Sequence, residues 1–471
     1  MKSCLAGIFV VSLVLFAATT ASAEKLTLDD CIELALENRS QIIKARHAED
    51  LARAGRRAAL GDFLPSVSAS YSYSEGETRD QENTVPVNDY ITTSVDTSTV
   101  LFTDTNNVSY YVDFQRPTDS VFIGEVVSRP ADQSRSGSSY GIDAALTLSP
   151  ATWFNYVSAR SNVDKARLDV IASEQDLIYR VKSVFYAHLA SIENVSVQED
   201  AVERSKEQLK LIESRFELGS AAKSDVLKQK VRYGNDQLSL LEARNSVTSS
   251  RADLAYTVGV DPNSDVEFST EFRQRTHGES MEEAIQFGLA HQPGLLSAEE
   301  QVTVTKHDLS AARMGYLPSF RAFAGMEWSD GSSGDTVVFD SKSNSWSAGF
   351  TLSWNIFDGF SRERSVSYAK IQHNNARVDL IEARHAVALD VKKAHLDIDK
   401  ATQQVNVNEE NVEAATEDMR ITQEKYNLGA ATILEVLDAQ VSLKTAQMQL
   451  ISSQFDYNLA VAKLELAMGK M

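Results

Sequence analysis

The chain has 471 residues, with 46 Lys+Arg against 66 Asp+Glu and two cysteines. Its net charge of −20 argues against nucleic acid and anionic lipid headgroups as partners. The acidic balance fits plain solubility or a wall that repels anions, and composition does not separate the two.

At the N-terminus, Lys2 supplies a short positive region, and Leu5 to Ala18 form an apolar run of 14 residues. Ala21-Ser22-Ala23 then offers a small-x-small cleavage site before Glu24. This order marks 1–23 as a secretory signal peptide, with an apolar run too short to span a bilayer as a helix. Leu28-Asp29-Asp30-Cys31 is not a lipoprotein cleavage box, so no lipid anchor is expected. Processing leaves Cys31 as the single cysteine, without an intramolecular disulfide. Its helical spacing with Leu28, Ile32 and Leu36 predicts a small buried apolar residue.

A helix is expected from about Leu28, followed by Leu64-Pro65 and a strand. In Ser66–Ser74 serine occupies every even position, with Val67, Ala69, Tyr71 and Tyr73 between. Gly76 to Ser139 is a 64-residue loop with ten acids, four Arg, no Lys and three of the eight prolines. Its runs Tyr90–Phe102 and Val108–Phe114, rich in Thr, Val and Tyr, suggest an extra β-hairpin. Alternation resumes in Tyr140–Ser149, and recurs in Ser319–Trp328, where Phe323 is the one misfit, and in Ser345–Trp354. Strands of about ten residues with one apolar and one small or polar face fit transmembrane β-strands. A soluble β-sandwich with one wet face is the alternative. Four strands cannot close a barrel, and open edges are not tolerated in hydrocarbon. The chain must therefore oligomerise: two copies give eight strands and three give twelve, and periodicity does not choose.

From Asn155 to Val258 there is no Pro and only Gly219 and Gly234; from Ser361 to Met468 there is no Pro and only Gly429. Breakers cost ~1 kcal/mol (Gly) to ~3 kcal/mol (Pro) inside a helix, so these are two long helical tracts. Asn155–Phe216 would extend about 90 Å. Its heptad seam runs Ile171, Ile178, Phe185, Ile192 on one track and Val181, Val195, Val202, Leu209, Phe216 on the other, as in a packed helix with one face in water.

The chain repeats itself once. Phe216-Glu217-Leu218-Gly219 matches Tyr426-Asn427-Leu428-Gly429, Asp225 matches Glu435, and Gly259 matches Gly469, all at an offset of 210. Leu64-Pro65-Ser66 matches Leu317-Pro318-Ser319 at an offset of 253. Asn155, Val163 and Ala166 pair with Asp358, Val366 and Ala369 at 203, which implies a seven-residue insertion, one heptad, in the second long helix. The first repeat spans 24–259, a linker 260–280, and the second repeat 281–471, with helical hairpins at about 155–258 and 356–468.

Leu26-Thr27-Leu28 with Cys31, Ala35-Leu36 and Asn38, then Leu64-Pro65, Trp354-Asn355-Ile356-Phe357-Asp358-Gly359, Tyr426-Asn427-Leu428-Gly429 and Leu434 to Asp438 resemble the TolC family of outer-membrane efflux proteins. The resemblance covers nearly all of the chain after the signal. It implies an α+β membrane protein of the Gram-negative outer membrane that extends into the periplasm. There, a homotrimer would combine a twelve-stranded barrel in outer-membrane lipid with a long α-helical barrel. It also implies a passive exit duct for efflux or type I secretion, served by a periplasmic adaptor and an inner-membrane RND or ABC transporter; no cofactor is expected, and the charge speaks against nucleic acid.

By motif position the resemblance places the tip turns at Gly219 and Gly429, entrance acids at Glu435 and Asp438, and a gate at Tyr426 with Asp225 and Ser224. Pro65 and Pro318 mark strand entry. The alternative for the two acids is a solvated helix face. The family's gating arginine falls at Ala431, so that latch is missing here. The eight histidines (47, 188, 277, 291, 307, 373, 385, 395) show no HExxH or other ligand spacing, and no nucleophile elbow or phosphate loop is present. No catalytic or metal site is expected. The competing class is a soluble periplasmic coiled-coil adaptor, which needs one hairpin and a lipoyl-like domain rather than two hairpins and four strands.

Overall fold

The computed structural model describes residues 25–78, 84–85, 100–103, 109–112, 126–127, 133–264, 266–270, 278–333 and 342–471. The signal-peptide reading lies outside the described residues, as does much of 76–139. In chain order the elements are α1 (Leu28–Asn38), α2 (Ser40–Gly61), β1 (Ser66–Thr78), β2 (Thr84–Val85), β3 (Val100–Thr103), β4 (Ser109–Val112), β5 (Val126–Val127), β6 (Gln133–Leu148), α3 (Pro150–Glu217) and α4 (Lys223–Val258). There follow α5 (Met281–His291), α6 (Pro293–Met314), β7 (Ser319–Ser333), β8 (Lys342–Ser353), α7 (Ser361–Asn427) and α8 (Ile433–Met468).

The expected initial helix of each half is two helices. Thr27 with Asp30, and Ser280 with Glu283, form reciprocal capping boxes that start α1 and α5. Each helix ends at an extended residue, Arg39 or Gln292. In the second half the next residue is Pro293, which disfavours helical backbone at the residue before it. Arg39 instead turns to donate from Nη1 to the Tyr256 carbonyl at 2.9 Å, with its guanidinium 4.7 Å from the Tyr256 ring centre.

The helical unit comprises the described residues up to Ala59, Trp153–Arg313 and Gly359–Met471. α3 has 68 residues and α7 has 67, each about 100 Å long at ~1.5 Å per residue. Pro150 opens α3 at the first helical position, where its missing N–H costs nothing. Because the two helices are equal within a residue, the sequence-based insertion is not inside the second one. The extra residues form 354–360, between β8 and α7, where the first half has only Ser149 between β6 and α3. Gly359 and Phe360 there both take positive φ, 66° each, which turns the chain before the helix begins.

Three apolar clusters hold this unit. One surrounds Phe185, Leu189, Leu254 and Cys31; a second surrounds Leu295, Val391 and Leu464; a third joins Ile212, Val226, Tyr426, Ile433 and Val436. Cys31 is fully buried, and burial, aided by the Asp30 charge, pushes its thiol up to about 12. The expected seam on α3 shifts in its second half. Gln198, Ala201, Ser205, Gln208 and Ile212 are buried, while Val202 and Leu209 are half-buried and Phe216 is exposed. α3 contacts both α4 and α8 there, and each of these buried positions falls one residue before a track position, so the buried arc is rotated by about 100° past the Val202 and Leu209 track.

The second unit, Leu60–Thr152 with Met314–Asp358, carries a four-stranded antiparallel sheet in the order β1-β6-β7-β8, with edges at β1 and β8. The strands have 13, 16, 15 and 12 residues, longer than alternation alone suggested. β3 pairs with β4 and β2 with β5, so the described parts of the two expected runs, 100–102 and 109–112, do pair; Tyr90–Thr99, Val108, Asp113 and Phe114 lie outside the described residues. Register aligns Ala69, Ile142, Met326 and Trp346 across one face, and Leu146, Ala322 and Phe350 in a second row. The opposite face aligns Ser68, Asp143, Gly325 and Ser347, then Ser70, Gly141, Glu327 and Ser345. The misfit Phe323 has a local reason. It pairs with Gly349, where an added Cβ would come within 3.0 Å of its ring, so the glycine makes room for it on the small-residue face.

Candidate functional site

The site residues gather where each long helix turns back. At the end of α3, Gly219 has φ +77°; its N–H donates to Phe216 O at 2.9 Å and that of Ser220 to Arg215 O at 2.8 Å. At the end of α7, Gly429 has φ +74°, with N–H groups of Gly429 and Ala430 donating to Tyr426 O at 3.1 Å and Lys425 O at 2.8 Å. Both are Schellman-type stops, which need a left-handed residue.

The turns differ in how the next helix starts. Ala222 precedes α4 without a side-chain cap. Thr432 caps α8: its hydroxyl accepts from Glu435 N at 3.4 Å and donates to Glu435 Oε1 at 2.9 Å, while Thr432 N donates to the same carboxylate at 3.3 Å. Glu435 is thus both exposed and bound into a capping box. Asp438 is exposed one turn later on the same helix. Ser224 donates to Asp225 Oδ1 at 3.4 Å, and Lys228 lies 4.0 Å from that carboxylate.

Tyr426 is buried in the cluster with Val226, the neighbour of Asp225, and with Ala431 at its margin. The residue that holds it was not singled out from sequence. Arg215, in the last turn of α3, donates through Nη1 to Tyr426 O at 3.2 Å and through Nη2 to Asn427 Oδ1 at 3.3 Å. Its guanidinium sits 4.7 Å from the Tyr426 ring centre. A cation therefore caps the carbonyl end of α7 and covers the tyrosine, joining the two turns within one protomer. The sequence signal was a basic residue near a helix end, an ordinary feature that Lys425 shares at the matching position. Position 431 belongs to the apolar margin of the same cluster, which suits the alanine found there.

Pro65 and Pro318 precede β1 and β7 by one residue. In both halves a leucine N–H before the proline closes a turn, Leu64 to Gly61 O at 2.8 Å and Leu317 to Met314 O at 2.9 Å. His188 is buried, bonded to Ser250 Oγ at 2.9 Å, and burial, followed by the Arg251 charge, lowers its pKa. Among the described residues no group of three or more side chains is placed to hold a metal ion. No described helix is long and apolar enough to cross a membrane.

Comparison with known proteins places the chain among relatives. A family model described as outer membrane efflux protein matches residues 128–260 and 284–470. The chain is 26% identical over 326 residues to outer membrane protein TolC of Vibrio cholerae serotype O1, covering 68% of this chain and 74% of that one. It is 23% identical over 349 residues to outer membrane efflux protein BepC of Brucella suis, covering 73% of this chain and 74% of that one. The solved structure of CusC superposes with a TM-score of 0.73 at 16% identity, covering 94% of this chain and 92% of that one.

Proposed function

The chain belongs to the outer membrane efflux protein family, and from that premise we propose that three copies close into one tube entered at the Gly219 and Gly429 turns. It is the outer-membrane exit duct of an efflux or type I secretion system and works with a periplasmic adaptor and an inner-membrane pump. The observation that carries the closed oligomer is the four-stranded sheet with two open edges and one apolar face left uncovered; the choice of three copies over two follows the family resemblance. Trp346 is 78% exposed and Phe350 75%. Contiguous apolar area of this kind is rare on soluble monomers. A sandwich would cover it with a second sheet, and an adaptor would not carry it. Lipid covers it if β8 of one copy pairs with β1 of the next, giving twelve strands with the serine-rich face toward a wet lumen. No step is catalytic; cargo passes down a gradient set by the pump, of RND or ABC type.

At the entrance, Glu435 and Asp438 become two stacked rings of three carboxylates, which attract cations and bind multivalent ones. Asp225, Ser224, Tyr426 and Arg215 decide how firmly the turns stay together. The test uses Glu435→Gln with Asp438→Asn, because glutamine preserves the Thr432 capping box that alanine would break. In planar bilayers the double variant should lose cation selectivity and block by trivalent metal ions while native mass still reads a trimer. Retained selectivity and block would remove these acids from the entrance. A stable monomer or dimer in mild detergent would refute the threefold tube.

A further inference from the structure

Between two apolar clusters of the helical unit lies a stretch whose buried side chains are mostly polar or small. The cluster around Phe185 and Leu254 reaches Ile451 on α8, and the one around Ile212 and Val226 begins at Leu209 on α3. Between them Gln198, Ser205 and Gln208 of α3, Gln229 and Asp236 of α4, and Gln440 of α8 are all buried, none more than 6% exposed. Leu443 is the bulkiest apolar side chain buried beside them on these helices.

Their polar atoms are incompletely satisfied. Gln229 Nε2 donates to Ser205 O at 2.8 Å, yet its Oε1 has no partner, and neither has Gln208 Nε2 or Gln198 Oε1. Gln198 Nε2 reaches only Asn194 Oδ1 at 3.1 Å and the Met448 sulfur at 3.5 Å. Asp236 shares its carboxylate between Arg232 at 3.0 Å and Lys444 of α8 at 3.3 Å. Buried amides without partners weigh against the closed packing, and polar sites of this kind take up water. Apart from Leu443, the large interdigitating side chains that would lock the helices in register lie in the flanking clusters.

We propose that this polar stretch is the yielding segment of the helical bundle. There α3, α4 and α8 part and admit water onto Gln198, Gln208 and Gln229 while the apolar clusters on either side stay shut. The Gly219 and Gly429 turns beyond it then move more freely, and Arg215 sets how readily they come apart at the tip. The softness stands on packing alone; only its use in opening the entrance rests on the duct reading.

Hydrogen exchange on the assembled full chain in detergent tests this. Amides of 195–208 should exchange about tenfold or more faster than those of 177–189 and 209–214 on the same helix. Replacing Gln198, Gln208 and Gln229 together with Met, which keeps chain length and removes the amides, should slow that exchange about tenfold, the equivalent of about 1.4 kcal/mol. Opening events in planar bilayers should become rarer in parallel. Uniform protection along α3 in the wild type would overturn the proposal, whether or not the Met variant assembles. So would wild-type exchange rates in the Met variant. Slowed exchange with unchanged opening would keep the soft segment and refute its link to the entrance.

Discussion

Arg215→Ala is the sharpest single perturbation of the tip. The side chain makes two charge-assisted hydrogen bonds, at 3.2 and 3.3 Å, and covers the Tyr426 ring at 4.7 Å. The bonds are long, so about 0.5–1 kcal/mol each is appropriate, and a part-exposed cation–π contact adds about 0.5–1 kcal/mol. Their sum is about 2 kcal/mol per protomer, or about 30-fold in the equilibrium between joined and separated turns. Arg215→Ala should therefore raise channel conductance in planar bilayers and speed amide exchange over 426–432, with trimer assembly unchanged. Arg215→Lys keeps the charge but not the planar fork, and should fall between the two. Wild-type conductance and exchange in Arg215→Ala would refute the clasp.

Other outcomes follow from the same packing. Cys31, buried with its thiol pushed up to about 12, should resist iodoacetamide at pH 8 in the folded protein and react on unfolding, as read by peptide mapping. His188 has a folded pKa below its unfolded value of about 6.5, so the unfolded chain takes the proton first. The stability it contributes is present above that value and lost as pH falls through it. Ser250, Ser191, Phe268 and Arg251 surround it. Melting of His188→Asn should accordingly depend less on pH between 7 and 5 than that of the wild type. Excising 85–130 leaves the pairing from Ser66↔Ala145 to Thr78↔Gln133 untouched, and should preserve trimers and conductance; loss of trimers would make the loop structural.

What was legible in the sequence was whatever neighbouring residues settle among themselves. Alternation marked all four long strands because facing in or out is a two-residue property. Absence of breakers marked α3 and α7, and Leu-Gly marked both turns, because a left-handed stop is local chemistry. Motif position also pointed to Tyr426, Glu435 and Asp438, which lie on either side of the second turn and whose part in an entrance is a proposal. The break at Arg39 and the residues at 354–360 were missed, since repeat offsets count residues without saying which are helical. The seam on α3 held only at Val181 and Phe185, with Val170 and Leu177 buried one residue before Ile171 and Ile178, because heptads reveal an apolar stripe but not how many helices lean on it.

The tertiary structure alone decided what distant segments do to one another. Arg215 and Lys425 occupy matching places in the repeat, each near the end of a long helix, and nothing nearby distinguishes them. Arg215 becomes the clasp because packing brings the carbonyl end of α7 and the Tyr426 ring to its guanidinium, 211 residues along the chain. Nothing near Gln198, Gln208 and Gln229 in the sequence marks them for burial, and they are buried because three helices close around them. Helix, strand and turn follow from interactions over a few residues. The partners of a long polar side chain follow from which helices become neighbours, and that is set by burial summed over the whole bundle.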